Sequence, residues 1–332
     1  MPISRRRLFA GAALLAALPR AALTQTVSPV VDRTRAFLEL LDPEKRAAAT
    51  FRFGDDTWTG WNYFGGSGFI KPGLRLEQMS PDERAAAWAI FAEIMSPAGL
   101  TKAQTVMDLQ DVLMELGGSG RSSLRFSVAV FGDPAPAGTF GIRLEGHHLS
   151  LSYTVKDGAV AAVTPSSFSA NPNVVPDGSS RAGLVTLGNE ENLARRLMAD
   201  FSAGQTSVAR ISDQPLRNIL SAAGRETDNA DPVGLPVSDM TSAQGDLLWQ
   251  LIETYAADHL SAPLADRQRA RLRQGDTAAV RFAWTGANDP GTRFGYRIIG
   301  DPFVIEMATV DDRALHLHTI WHDRMTVLGR NI

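Results

Sequence analysis

Five of the six histidines of this chain fall in or beside two short clusters, Gly146-His147-His148 and His316-Leu317-His318, the latter followed by His322. Ala314 to Trp321 alternates like a β-strand. Period two puts the imidazoles of His316 and His318 on one face and Leu317 on the other, so the pair can chelate one ion. His147 and His148 are adjacent and would face opposite ways on a strand, so only one of them can enter that site. The spacing does not say which; its neighbour is left to orient it or to hydrogen-bond a substrate. The chain has no cysteine, which excludes thiolate zinc sites and iron-sulfur clusters. Three or four imidazoles suit zinc, copper or iron, whereas calcium and magnesium take oxygen shells. The expected cofactor is therefore a divalent transition metal, with His147, His148, His316 and His318 as candidate ligands. The competing reading is a set of satisfied strand histidines.

Glu145 and Glu306 are the carboxylates placed by sequence to act as general bases, although Glu306 also reads as a strand residue paired with an arginine. His322 and Asp323 lie beside the second cluster and Arg143 and Arg297 inside the same hairpins, all as possible supporting or substrate-contacting groups. Trp61 and Tyr63, in a glycine-rich stretch, could line a pocket. His259 stands at a helix end and reads as a favourable C-terminal charge.

The elements that carry these residues occur twice. Thr139 to Thr164 and Arg293 to Thr319 align without a gap from Phe140 and Phe294, sharing Phe-Gly, Arg143 with Arg297, and Gly146 with Gly300, before an acidic turn at Asp157 or Asp311. Helical periodicity starts near Val30 and again at Glu190. Ser80-Pro81-Asp82-Glu83 and Thr241 with Gln244 both carry a capping box ahead of an apolar helix face. Thr101 is read as the cap of a further helix that ends at Gly117. The order helix, irregular segment, helix, helix, strands, hairpin thus recurs. The expected fold is α+β and internally duplicated, with two helix-helix-sheet halves, residues 26–165 and 189–332, packed about a pseudo-twofold axis. Residues 166–188, rich in Asn, Pro, Gly and Ser, are the crossing linker between them.

Residues 1–25 read as an export signal: Ser4-Arg5-Arg6-Arg7 precede an apolar run from Leu8 to Leu18 that is too short to span a membrane. Adjacent arginines favour the twin-arginine route, with export machinery as a transient partner and a periplasmic or secreted location. Cargo of that route is folded before export, which suits a metal acquired inside the cell. No later stretch is a membrane anchor. The chain has 33 basic against 36 acidic residues; without the four arginines of the signal the balance is 29 against 36, and an acidic chain without basic runs is a poor nucleic-acid binder. The expected partner is a small-molecule substrate or a metal ion. No phosphate-binding loop, dinucleotide fingerprint, Gly-x-Ser-x-Gly elbow or His-Glu-x-x-His helix is present.

Three stretches together, Gly146-His147-His148-Leu149-Ser150-Leu151, Thr164-Pro165 with Phe168 and Asn171-Pro172, and His316-Leu317-His318-Thr319-Ile320-Trp321, resemble domain of unknown function 3500, a family of mostly secreted bacterial proteins. The family pattern closes with Trp-Arg-Asp where this chain has Trp321-His322-Asp323. The resemblance implies no activity, so the chemistry rests on the histidines. They point to an exported, histidine-ligated metalloenzyme, with hydrolysis favoured over oxidation because zinc needs no redox partner. The alternatives are a non-catalytic periplasmic copper or zinc binding protein and a structural protein without metal.

Overall fold

The computed structural model describes residues 28–65, 71–226 and 231–332; the expected signal, residues 1–25, lies outside them. Two helices open the described chain, α1 (Pro29–Leu40) and α2 (Pro43–Ala49), the second capped by Asp42, whose side chain accepts the Lys45 N–H. Strand β1 (Thr50–Phe51) leads into an irregular segment containing the short α3 (Asp56–Thr59), and β2 (Leu74–Arg75) ends it. Helix α4 (Pro81–Ala92) carries the expected reciprocal cap: Ser80 and Glu83 each accept the other's backbone N–H. Helix α5 (Pro97–Glu115) starts earlier than Thr101 suggested. Ser96 caps it and Pro97 fills its first turn, while the Thr101 hydroxyl only bonds back to the Pro97 carbonyl. Strands β3 (Ser127–Phe131), β4 (Thr139–Gly146), β5 (Leu149–Lys156), β6 (Ala159–Ala162) and β7 (Ser166–Phe168) follow.

A similar order then returns. Helices α6 (Gly188–Asp200) and α7 (Ala203–Ala209) are followed by β8 (Arg210–Ser212), β9 (Leu235–Pro236), α8 (Ser242–Ala256) and α9 (Ala262–Leu272). Strands β10 (Arg281–Gly286), β11 (Phe294–Gly300), β12 (Phe303–Thr309) and β13 (Leu317–Asp323) complete the chain. The Thr241–Gln244 capping box is present ahead of α8.

The thirteen strands among the described residues join one mixed sheet. Its path runs β1-β3-β4-β5-β7-β13-β12-β11-β10-β8, with β2, β6 and β9 paired to β3, β5 and β10. Pairing is antiparallel except at the two ends, β1 on β3 and β8 on β10. The linker residues 166–188 do more than cross: β7 pairs with β5 on one side and β13 on the other.

The two faces of this sheet differ because successive side chains point opposite ways. Phe140, Ile142 and Leu144 of β4, Leu149, Leu151 and Tyr153 of β5, Tyr296 and Ile298 of β11 and Leu317 and Trp321 of β13 join the main apolar core with residues of the helices. On the opposite face, Ala129, Phe131, Ala308 and Ile320 meet Trp58, Trp61, Tyr63 and Ile219 from the irregular segments. That second face also holds fully buried charge. Arg143 is 0% exposed; its guanidinium donates to the Thr57 and Trp58 carbonyls and the Ser152 hydroxyl, and lies over the Trp58 ring. Arg297 pairs instead with Glu306 at 2.9 Å. The equivalent arginines thus both anchor their hairpins, through different partners.

The glycine shared by the two hairpins has a packing cause. A Cβ on Gly146 would lie 2.1 Å from the Phe126 ring, and one on Gly300 would lie 2.7 Å from the ring of Phe303. Gly146→Ala should therefore destabilise the protein by about 1–3 kcal/mol, the usual cost of overpacking a core, read as a lowered urea midpoint at unchanged slope. An unchanged midpoint would show that Phe126 moves freely.

Candidate metal centre

His147 and His148 form the two-residue turn that joins β4 to β5, since Gly146 pairs directly with Leu149. His148 occupies left-handed backbone space at φ 69°, where glycine or asparagine is the usual occupant. Its N–H donates to the Tyr63 carbonyl and its carbonyl accepts the Ser169 N–H, each at 2.8 Å. These bonds press the turn between the first irregular segment and the strand that links the hairpins. His316 precedes β13 in a loop closed by Asp311, whose side chain accepts the N–H groups of Leu315 and His316.

The outcome is that three ring nitrogens meet. The Nε2 atoms of His148 and His316 are 2.8 Å apart and those of His316 and His318 are 3.0 Å apart. All three residues offer ring nitrogens within 4.8 Å of one another. His148 is buried, His318 nearly so, and His316 opens towards solvent. An ion with bonds of about 2.0–2.1 Å in tetrahedral geometry needs nitrogens about 3.3 Å apart, a few tenths of an ångström more than the His148–His316 and His316–His318 separations.

The protonation pattern favours ligation. Burial, reinforced by the neighbouring imidazoles, holds His148 well below the ordinary histidine range and His318 at about 3; burial also lowers His316. Metal ligation requires neutral imidazole. The Asn218 Oδ1 accepts the Ile219 N–H and the Tyr63 hydroxyl, so it is an oxygen, and His318 Nδ1, 2.8 Å away, must donate to it. That fixes the tautomer of His318 with its Nε2 lone pair facing the other two rings. A proton on His316 Nε2 can satisfy only one of its two close neighbours, whereas one shared cation satisfies all three.

The other expected residues separate from this group. His147 stacks on His148 with centroids 3.7 Å apart, but its Nδ1 turns away to Arg121 at 2.7 Å. His322 is fully buried, hydrogen-bonded to the Ser221 carbonyl and edge-on to Trp61. Tyr63 contributes both its carbonyl and its hydroxyl, and its ring packs edge-on to His318, whereas Trp61 donates to Glu226. Glu306 is committed to Arg297 and to the N–H groups of Leu220 and Ser221. Glu145 accepts the Asn62 N–H and the Ser150 hydroxyl on Oε1 and keeps Oε2 without a partner. Asp323 pairs with Arg271 and caps the turn at Met325 and Thr326. His259 is not a helix-terminal charge: it is buried against Phe168, and burial keeps it neutral. Asn218 carries no signal in the sequence: no motif around Arg217-Asn218-Ile219 marks it.

His148 carries two local costs, a left-handed backbone and a buried Nδ1 without a hydrogen-bond partner. Such costs concentrate at functional positions.

The buried histidines make stability depend on pH. His318 sits at about 3 and His322 at about 4, where burial is the main cause, against about 6.5 in an unfolded chain. Below about 6.5 the unfolded state takes up protons that the folded state refuses, so stability is full above that pH and falls towards pH 4. In metal-free protein each of these histidines should contribute a loss of about 1.4 kcal/mol per pH unit. Urea titrations at pH 7.5, 6 and 5 should show the decline, with a shallower slope in His322→Gln; a pH-independent midpoint would contradict it.

Over residues 24–326 the chain matches the family described as Protein of unknown function (DUF3500), and it belongs to that family. No curated protein and no solved structure matches it.

Proposed function

We propose that this family member holds a divalent transition metal on His148, His316 and His318 and uses it in hydrolysis, zinc being the ion that best fits the donors. The observation that carries this reading is the convergence of three neutral Nε2 atoms from two distant parts of the chain. Among the described residues no fourth His, Asp or Glu joins the group. Three histidines leave a coordination position for water or substrate, the arrangement of catalytic rather than structural zinc. When bound, such an ion supplies Lewis acidity and a more acidic water. The chain's own part is positioning: Asn218 holds the tautomer of His318, the Tyr63 hydroxyl holds Asn218, and Asp311 sets the His316 loop. Of the two candidate carboxylates, Glu145 suits proton transfer better, because Oε2 is uncommitted while Glu306 is spent on Arg297.

Two further readings belong with this one. The repeated element order, and a sheet path whose two ends mirror each other around the β7-β13 pair, support an internal duplication with halves about a pseudo-twofold axis. The arginine-led apolar segment before residue 26 supports export through the twin-arginine route to the periplasm or beyond.

Metal analysis of protein exported by its own signal should find one ion per chain. His316→Ala and His318→Ala should lose the ion and remain folded, while His147→Ala keeps it. Asn218→Ala should weaken affinity about 10–100-fold, as loss of an orienting partner usually does. Zinc at a hundred times its Kd should add about 2.7 kcal/mol to stability. Metal-free protein whose melting temperature ignores zinc, copper and iron salts would sink the reading.

A further inference from the structure

Beside the triad, with His147 on its wall, lies a cleft of about 780 Å³ whose lining includes Lys71, Gln110, Arg121, Arg125 and His147. Every formally charged group on its walls is cationic, and no Asp or Glu lines it among the described residues. Arg125 shares Glu77 with Arg75. Arg121 and Lys71 differ, because neither has a carboxylate within 4.0 Å among the described residues.

Both are nevertheless held in place, and by neutral acceptors. The Arg121 guanidinium donates to Gln110 Oε1 at 3.1 Å and lies 2.7 Å from His147 Nδ1, which is itself 2.9 Å from that Gln110 oxygen. The Lys71 ammonium donates to the Asn62 carbonyl at 2.6 Å and to its side-chain oxygen. Neutral acceptors aim a cation without compensating its charge; Glu145 acts on Lys71 but does not line the cleft, so two oriented positive groups face a space with no carboxylate on its walls among the described residues. An arginine fork beside a lysine is suited to an oxyanion, the fork binding two oxygens and the ammonium acting as a point charge.

The cleft and the triad share a wall. A Cβ on Gly65 would lie 2.6 Å from the His147 ring, so the irregular segment closes on that ring only because residue 65 lacks a side chain. His147 Nδ1 lies 2.7 Å from the Arg121 guanidinium and 2.9 Å from Gln110 Oε1, and the same ring stacks at 3.7 Å on His148. One imidazole therefore separates the uncompensated guanidinium from a candidate ligand.

We infer that the cleft binds the oxyanion end, carboxylate or phosphate, of a small-molecule substrate, with Arg121 and Lys71 as anchors and His147 as the positioning residue between anchor and metal triad. The placement of the reactive bond at the triad rests on the metal reading above; the anion site itself does not. The substrate class is accordingly an acidic small molecule rather than a neutral one, although the chain itself carries a net negative charge.

Calorimetric titration with inorganic phosphate and, separately, succinate tests this on three proteins: zinc-treated wild type, His316→Ala, and Lys71→Gln/Arg121→Gln. At least one probe should bind wild type and His316→Ala saturably and about equally, and the probe that binds identifies the group. The double variant should bind it at least tenfold more weakly while keeping the zinc stoichiometry of wild type. Should the double variant not fold, Arg121→Lys serves in its place, with a similar loss expected from the missing fork. No binding of either probe to wild type, or undiminished binding to these variants, overturns the inference. Wild type that binds a probe as expected but takes up no zinc would support the anion site and count only against the metal reading.

Discussion

The antiparallel seam β5-β7-β13 is the constraint on which the rest of the structure depends. Three residues of β7 pair with β5, and the chain beyond them continues along β13 through the Ala170 and Leu317 backbone pair. Side chains reinforce it: the Ser169 hydroxyl accepts the Thr319 N–H, and the Ser167 hydroxyl donates to the Thr319 carbonyl. This lacing fixes the His148 turn, at one end of the first hairpin, against the start of the last strand. A slip of one residue in β13 would send His318 to the helix-covered face and bring Leu317 to the triad.

Two kinds of burial follow from one sheet. The helix-covered face is mainly apolar and supplies the hydrophobic stabilisation, at about 25 cal/mol per Å² of apolar surface removed from water. The opposite face is closed by irregular chain, whose carbonyls and N–H groups can satisfy polar side chains from the strands. Arg143 finds two such carbonyls there, Glu306 finds two N–H groups, and His322 a carbonyl. A regular helix laid over that face would have its backbone groups already paired, and the buried charges would be left unsatisfied. The tryptophan- and glycine-rich stretch around Trp61 and the loop bearing Asn218 are thus what allow chemistry-bearing residues to be buried at all.

The hairpins also show where equivalent positions part. Gly146 and Gly300 each lie against a phenylalanine ring and end a strand at a two-residue turn. In one hairpin that turn is His147-His148 and in the other it is Asp301-Pro302. The scaffold is common to both; the imidazoles are confined to one turn and to the opposite hairpin's returning strand.

Much of this was legible in the chain alone. Capping boxes at Ser80 and Thr241, alternation in the strands, and the shared Phe-Gly, Arg and Gly of the hairpins depend on neighbours within a few residues, so local spacing is enough to place them. The same locality put His316 and His318 on one side. The choice of His148 over His147 was not legible, because it follows from a left-handed turn residue pinned by Tyr63 and Ser169. Nor was Asn218, which reaches His318 across 100 residues of sequence, nor the oxygen that Glu145 keeps free, whereas the pairing of Glu306 with an arginine was legible from its place in the strand. Periodicity determines which side of a strand a residue faces; only the packed sheet decides what stands opposite it, since that partner arrives from a segment whose path no local pattern encodes.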